Sequence, residues 1–217
     1  MQPLHVTVGP LVASASTGIC LSQTPGTGTK LTLNGALVTN GVAVLDKPRT
    51  LLFSSSGNNS TTTFTIIGTD WAGMPITEAL VGASGATVTS ILSYATVISI
   101  TSSLASAAGL TVGTAGSASS PWVRMDNWSA PQTLIQNNAY GTVNYTVQQT
   151  LDDPNDPTNP VSPQNVTWFN HPDPALVAAT ASTQSNYAYP PLWARVVLNS
   201  GTGYVNSTFN QAADVNL

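Results

Sequence analysis

The chain has 217 residues, room for one large β domain or for two of about 100 residues each. Hydrophobic residues make up 41% of it, yet no apolar run reaches the roughly 18 residues of a membrane span. Charged residues are 6%, where about 25% is ordinary, and a net charge of −4 with five basic residues leaves no electrostatic footprint for nucleic acid or anionic lipid.

Taken in order, residues 4–8 are expected to form a short strand stopped by Gly9-Pro10. The opening Met1-Gln2-Pro3-Leu4-His5 lacks the basic and apolar blocks of a secretory signal, so none is expected. Residues 19–21 are a second strand candidate, and Pro25-Gly26-Thr27-Gly28 reads as a loop. Asn34-Gly35 and Asn40-Gly41 are turn dipeptides; the second separates residues 36–39 from 42–45 and predicts a hairpin. Asp46-Lys47-Pro48-Arg49 is expected to end that arm, with a new strand over residues 50–54.

The clearest unit spans residues 58–82. Thr63 and Thr65 alternate with Phe64 and Ile66, then Ile76, Glu78 and Leu80 alternate with Thr77, Ala79 and Val81. That period of two marks half-buried strands. Between them, Asp70-Trp71-Ala72-Gly73 suits a reversal, with Asp closing an Asx-turn and Gly taking positive φ. One hairpin is marginal in water, so this one must share a sheet or sandwich with others.

Further strands are expected over residues 86–92 and 95–101, where Val97, Ile98 and Ile100 are β-branched. Residues 104–112 read as loop and strand. The small-residue stretch 113–120 reads as a linker. It divides the chain into an N-terminal β domain, residues 1–117, and an aromatic-rich C-terminal β domain, residues 118–217. Four of the five Trp and five of the six Tyr follow residue 120. Residues 143–147 alternate as a strand, and residues 151–160, with three prolines, form an exposed loop. Residues 195–198 and 204–209 flank Asn199-Ser200-Gly201-Thr202-Gly203 as a closing hairpin. No helix is expected, so the class is all-β: two antiparallel β-sandwich or jelly-roll-like domains.

Low charge leaves hydroxyls and amides to cover the surface and lowers the desolvation cost of packing surfaces together. A place inside an assembly is expected, with a monomer kept soluble by hydroxyls and amides as the alternative. Cys20 is the only cysteine, so no internal disulfide forms and a reducing compartment of synthesis is favoured. Six Asn-x-Ser/Thr sequons, at Asn58, Asn59, Asn127, Asn144, Asn165 and Asn206, are expected to stay unused without a signal peptide.

Reactive chemistry finds no pattern. Zinc needs three or four ligands, and Cys20, His5 and His171 are far apart in sequence. Asp152, Asp153 and Asp156 offer oxygens of a type suited to Ca²⁺, but lack the alternation and central Gly of an EF-hand; an Asx/Pro turn explains them more simply. A triad of His171, Asp173 and a Ser lacks the Gly-x-Ser-x-Gly elbow. Glu78 is the only Glu, and most Asp sit in turns, which argues against a glycosidase pair. No enzyme activity, cofactor or metal is expected.

The aromatic residues carry the binding hint. Trp122 and Trp128 follow the linker, and Tyr187, Tyr189 and Trp193 surround Pro190-Pro191. They serve either as core of the second domain or as anchors of a subunit contact, where rings supply large buried area. A carbohydrate platform is a third use.

The runs Leu31-Thr-Leu-Asn-Gly-Ala-Leu-Val, Asp46-Lys-Pro-Arg, Phe64-Thr-Ile-Ile-Gly-Thr-Asp and Ala95-Thr-Val-Ile-Ser-Ile-Thr resemble structural proteins of tailed bacteriophages. So do Gly141-Thr-Val-Asn-Tyr-Thr-Val-Gln-Gln-Thr-Leu-Asp-Asp, Tyr187-Ala-Tyr-Pro and Leu198-Asn-Ser-Gly-Thr-Gly. The resemblance covers most of the chain in turn-and-strand patterns and supplies no catalytic residue. It implies a virion component made in the bacterial cytoplasm that decorates or cements the capsid. Its partners would be the major capsid protein, other virion proteins and further copies of itself, with no nucleic acid or membrane. A tail- or fibre-associated module that binds a host receptor or glycan is the alternative.

Overall fold

The computed structural model describes residues 3–126 and 132–211. Its first strands are β1 (Leu4–Val8), β2 (Cys20–Gln23), β3 (Val38–Thr39), β4 (Val42–Ser55), β5 (Thr63–Thr69), β6 (Pro75–Val81), β7 (Thr87–Thr89) and β8 (Tyr94–Ser102). Then come β9 (Leu110–Ser119), β10 (Val123–Arg124), β11 (Thr133–Tyr140), β12 (Val143–Thr150), β13 (Phe169–Asn170), β14 (Thr183–Tyr187), β15 (Trp193–Gly201) and β16 (Tyr204–Gln211). Helical structure among the described residues is limited to two 3₁₀ turns, Pro163–Asn165 and Pro174–Leu176. The strands form antiparallel sheets of four and twelve strands, the all-β class expected from sequence.

Contacts divide the chain into two compact units: Val12–Gly116, and Met1–Leu11 together with Ser117–Leu217. They are called here the N-terminal and C-terminal units. The sequence reading put the division at 1–117 and 118–217, with a linker at 113–120. Residues 113–119 are the end of strand β9 instead. Its small side chains serve close packing: a Cβ on Gly113 would collide with the Ala15 carbonyl oxygen. Strand β1, at the front of the sequence, belongs to the C-terminal unit, where Leu4–Val8 pairs with β16 from Phe209 back to Val205. Pairing across 200 residues leaves no local sequence signal.

The N-terminal unit is ordered β9-β4-β8-β5-β6, with β2 on β9 and β3 and β7 on β4. Asn40 and Gly41, at φ 52 and 78, close the expected two-residue hairpin between β3 and β4. The β5–β6 hairpin also forms as read. Phe64, Ile66, Ile76 and Leu80 face the core, while Asp70 accepts the Ala72 and Met74 N–H groups at 2.8 and 2.9 Å. The arm expected to end at residues 46–49 does not end; β4 runs 14 residues through Pro48, with its register against β8 shifted between Val44 and Arg49. Such a shift is where a sheet tolerates proline.

Along β4 the inward positions are Ala43, Leu45, Arg49, Leu51 and Phe53. Alternation thus drives a guanidinium into the core. Arg49 is 1% exposed and donates to the carbonyl oxygens of Ala115 and Val12 and, at 3.0 Å, to Asp46. Burial alone would raise the Asp46 carboxyl, but the Val12 N–H and Arg49 hold it below its ordinary value. Cys20 is fully buried beside this core, and burial pushes its thiol up to about 12.

The C-terminal unit is sandwich-like: β1-β16-β11-β14 in one sheet, and β13-β12-β15 with β10 and the last residues of β9 in the other. Val8, Ile135, Tyr145, Val147, Val196, Leu198, Val205 and Phe209 fill the space between them. The closing hairpin expected at residues 195–209 is a crossover. β15 pairs with β12, while β16 pairs with β11 and β1. The turn from β11 to β12 crosses in the same way, and the two corners touch through the Gly203 N–H and the Thr142 carbonyl at 2.9 Å. A Cβ on Gly203 would run into the Tyr140 carbonyl oxygen, so the corner needs glycine.

Candidate functional site

Register sorts the aromatic residues of the C-terminal unit by face. Gln148 opposes Arg195 and Asn170, Thr150 opposes Trp193, and Arg124 opposes Trp193. These residues share the outer face of the sheet, because side chains alternate along a strand. There Trp122 packs edge-on to Trp168 and Trp193, with centroids 4.9 and 6.2 Å apart. The Arg195 guanidinium lies 4.2 Å over Trp168 and donates twice to Gln148 Oε1, at 3.0 and 2.8 Å. Burial pulls Arg195 down to about 9, so it remains a cation at neutral pH. Arg124 lies 5.7 Å from Trp193, and Trp193 Nε1–H donates to Asp153 at 3.1 Å. The cluster fastens the 151–160 loop to the sheet.

The other face ends in an open groove. Gln149 opposes Phe169 and Ala194, the parity of the core residues Val147 and Val196. Past the end of the core this face opens into a groove of about 310 Å³ lined by Gln149, Leu151, Asp152, Phe169, Tyr189 and Pro191, among others. Leu151 is 76% exposed, Phe169 62% and Tyr189 90%. Pro190-Pro191 stiffens the wall that carries Tyr189. The buried side-chain amide oxygen of Gln149, Oε1, has no partner among the described residues. Asp152 accepts the Thr167 N–H at 2.7 Å.

The five sequence candidates therefore separate. Tyr189 stands on the groove. Tyr187 is 3% exposed and belongs to the core, while Trp193, 8% exposed, is buried within the outer-face cluster. Trp122 is half-buried in the outer cluster. Trp128 lies outside the described residues. Phe169 and Leu151 were missed as site residues. Their signal was a large apolar residue beside Asn170-His171-Pro172 or Asp152-Asp153-Pro154, where no strand pattern required one.

Tyr187 packs against His171 at 4.4 Å, and neither Tyr187 Oη nor His171 Nε2 has a partner among the described residues. His171 Nδ1 accepts the Asp173 N–H at 3.0 Å, which leaves the proton on Nε2. Asp173 is engaged by Ser185 at 2.6 Å. His171 and Asp173 thus hold a turn, with Ser185 on the carboxylate and not on the imidazole. Asp153 and Asp156 accept N–H groups of their own loop, as Asx-turns do. Among the described residues no group of three or more His, Cys, Asp or Glu is placed to hold a metal.

Comparison with models of known protein families gave no match, and comparison with curated proteins gave none.

Proposed function

We propose that the protein is a non-enzymatic structural protein of a tailed-phage virion, attached to the capsid as a decoration or cement protein. The groove of the C-terminal unit is its anchoring surface. One observation carries this reading: Leu151, Phe169 and Tyr189 stand exposed around a single groove in a chain with 6% charged residues. Exposed rings and leucine gathered at one place mark a contact surface. The resemblance in strand and turn sequences supplies the virion context. Many copies acting together would make modest individual contacts hold.

The test is attachment of purified protein to capsids stripped of it. Binding is expected to persist as salt rises, because few charges contribute, and to fall with Tyr189→Ala and Phe169→Ala. Release by high salt alone would overturn the reading. The groove also supports a second reading, a glycan-binding fibre module. Phe169 and Tyr189 are exposed rings, and Asp152 and Gln149 line the groove beside them. Binding of the isolated protein to host cells or to a glycan array, lost in the same variants, would favour it over capsid attachment.

A further inference from the structure

Strand β6 offers a contact of another kind. It ends the order β9-β4-β8-β5-β6 and is seven residues long, against five for β1 and β14 and two for β13 at the other ends. Its hydrogen-bond phase is fixed at both ends of the hairpin. The Asp70 N–H donates to Met74 and the Gly82 N–H to Thr62, so Ile76, Glu78 and Leu80 are the residues that exchange bonds with β5. The N–H and C=O groups of Thr77, Ala79 and Val81 therefore point away from β5. All three residues are exposed, and among the described residues nothing hydrogen-bonds to these outward groups.

Soluble sheets guard such an edge with lysine, a mid-strand proline, a bulge or a projecting charge. β6 has no lysine, no mid-strand proline, no bulge and no outward charge; its one guard is an inward-turned charge, and that carboxylate is tied into hydrogen bonds. The β5–β6 register is unbroken, and Pro75 occupies only the first position. The one charged side chain, Glu78, is turned to the core side, where it accepts the Ile91 and Leu92 N–H groups at 2.7 and 3.1 Å and the Tyr94 hydroxyl at 3.3 Å. The neighbouring outward residues of β5 are Thr63, Thr65, Ile67 and Thr69, again without charge.

We propose that β6 pairs with β6 of a second copy, antiparallel about a two-fold axis at Ala79. That register sets Ala79 opposite Ala79 and Thr77 opposite Val81. It satisfies all the outward N–H and C=O groups of the three residues and places β-branched side chains against each other. A second copy is the occupant because the exposed run is self-complementary about Ala79: under a two-fold axis each copy offers the same outward N–H and C=O groups that the other needs, Thr77 to Val81 and Val81 to Thr77. A charged edge repels its twin; this edge carries no charge to do so. The interface is separate from the groove, and either can fail without the other.

The experiment measures the mass of the full chain by sedimentation over a concentration series, with amide exchange read at Thr77, Ala79 and Val81. A dimer is expected, with those three amides slowing as it forms. Ala79→Pro removes the central N–H and Ala79→Lys sets two cations directly opposite each other across the axis. Each is expected to weaken dimerisation at least about tenfold with an unchanged circular dichroism spectrum, and the lysine variant covers the case in which proline disturbs the hairpin. Tyr189→Ala leaves the dimer intact. A monomer at every concentration, a dimer that survives both β6 variants, or slow β6 amides at monomer mass would overturn the proposal.

Discussion

Each unit takes an arginine out of water, and the two do it differently. In the N-terminal unit Arg49 sits at an inward position of β4, answered by the Asp46 carboxylate and the carbonyls of Val12 and Ala115. In the C-terminal unit Arg195 lies on the outer face, sandwiched between the Trp168 ring and a neutral amide oxygen. The first answer works only if every acceptor is in place. The second spreads the charge over a ring and keeps one edge near water. Burial of charge is therefore structural in one unit and part of a surface in the other.

The largest expected effect tests the first arrangement. Arg49→Met leaves the buried Ala115 carbonyl without its donor and takes the guanidinium from the Val12 carbonyl and the Asp46 carboxylate, and is expected to cost about 3–5 kcal/mol in urea unfolding. Phe64→Ala should cost about as much, roughly 3–5 kcal/mol, by opening a cavity beside Phe53, whose ring centroid is 5.3 Å away. Arg195→Met keeps most of the packing on Trp168 and should cost only about 1–2 kcal/mol. If Arg195→Met costs as much as Arg49→Met, the contrast fails.

A smaller effect is pH-dependent. Burial lowers His171 below its ordinary 6.5, outweighing the pull of Asp173 in the other direction. The unfolded chain then takes up a proton that the folded chain resists. Stability is full above about pH 6.5 and falls as the pH drops through the folded value, so melting temperature should decline between pH 7 and 5. His171→Phe should flatten that decline. Smallest of all, Tyr189→Ala should change unfolding free energy by less than about 0.5 kcal/mol, while weakening the proposed capsid attachment.

What was legible follows from the range of each signal. Alternation at Phe64, Ile66, Ile76 and Leu80, and the turn chemistry of Asp70 and Asn40-Gly41, act within a few residues and were read correctly. The joining of β1 to β16, and the parting of β15 from β16 into different sheets, depend on distant partners that alternation does not encode. Gly113 and its neighbours looked like a linker because small residues serve flexible loops and tight packing alike. Among the site candidates, Tyr187, Tyr189 and Trp193 lie within seven residues in one Pro-rich stretch. Only register and burial tell that Tyr189 is a surface ring, Tyr187 core and Trp193 part of the outer-face cluster.

Cys20 carries one more consequence. With its sulfur enclosed and its thiol held protonated at neutral pH, it is inert toward alkylating reagents while the N-terminal unit stays closed. Its rate of labelling is therefore a clock for the opening of that unit, written into the molecule as its single reactive atom of the kind.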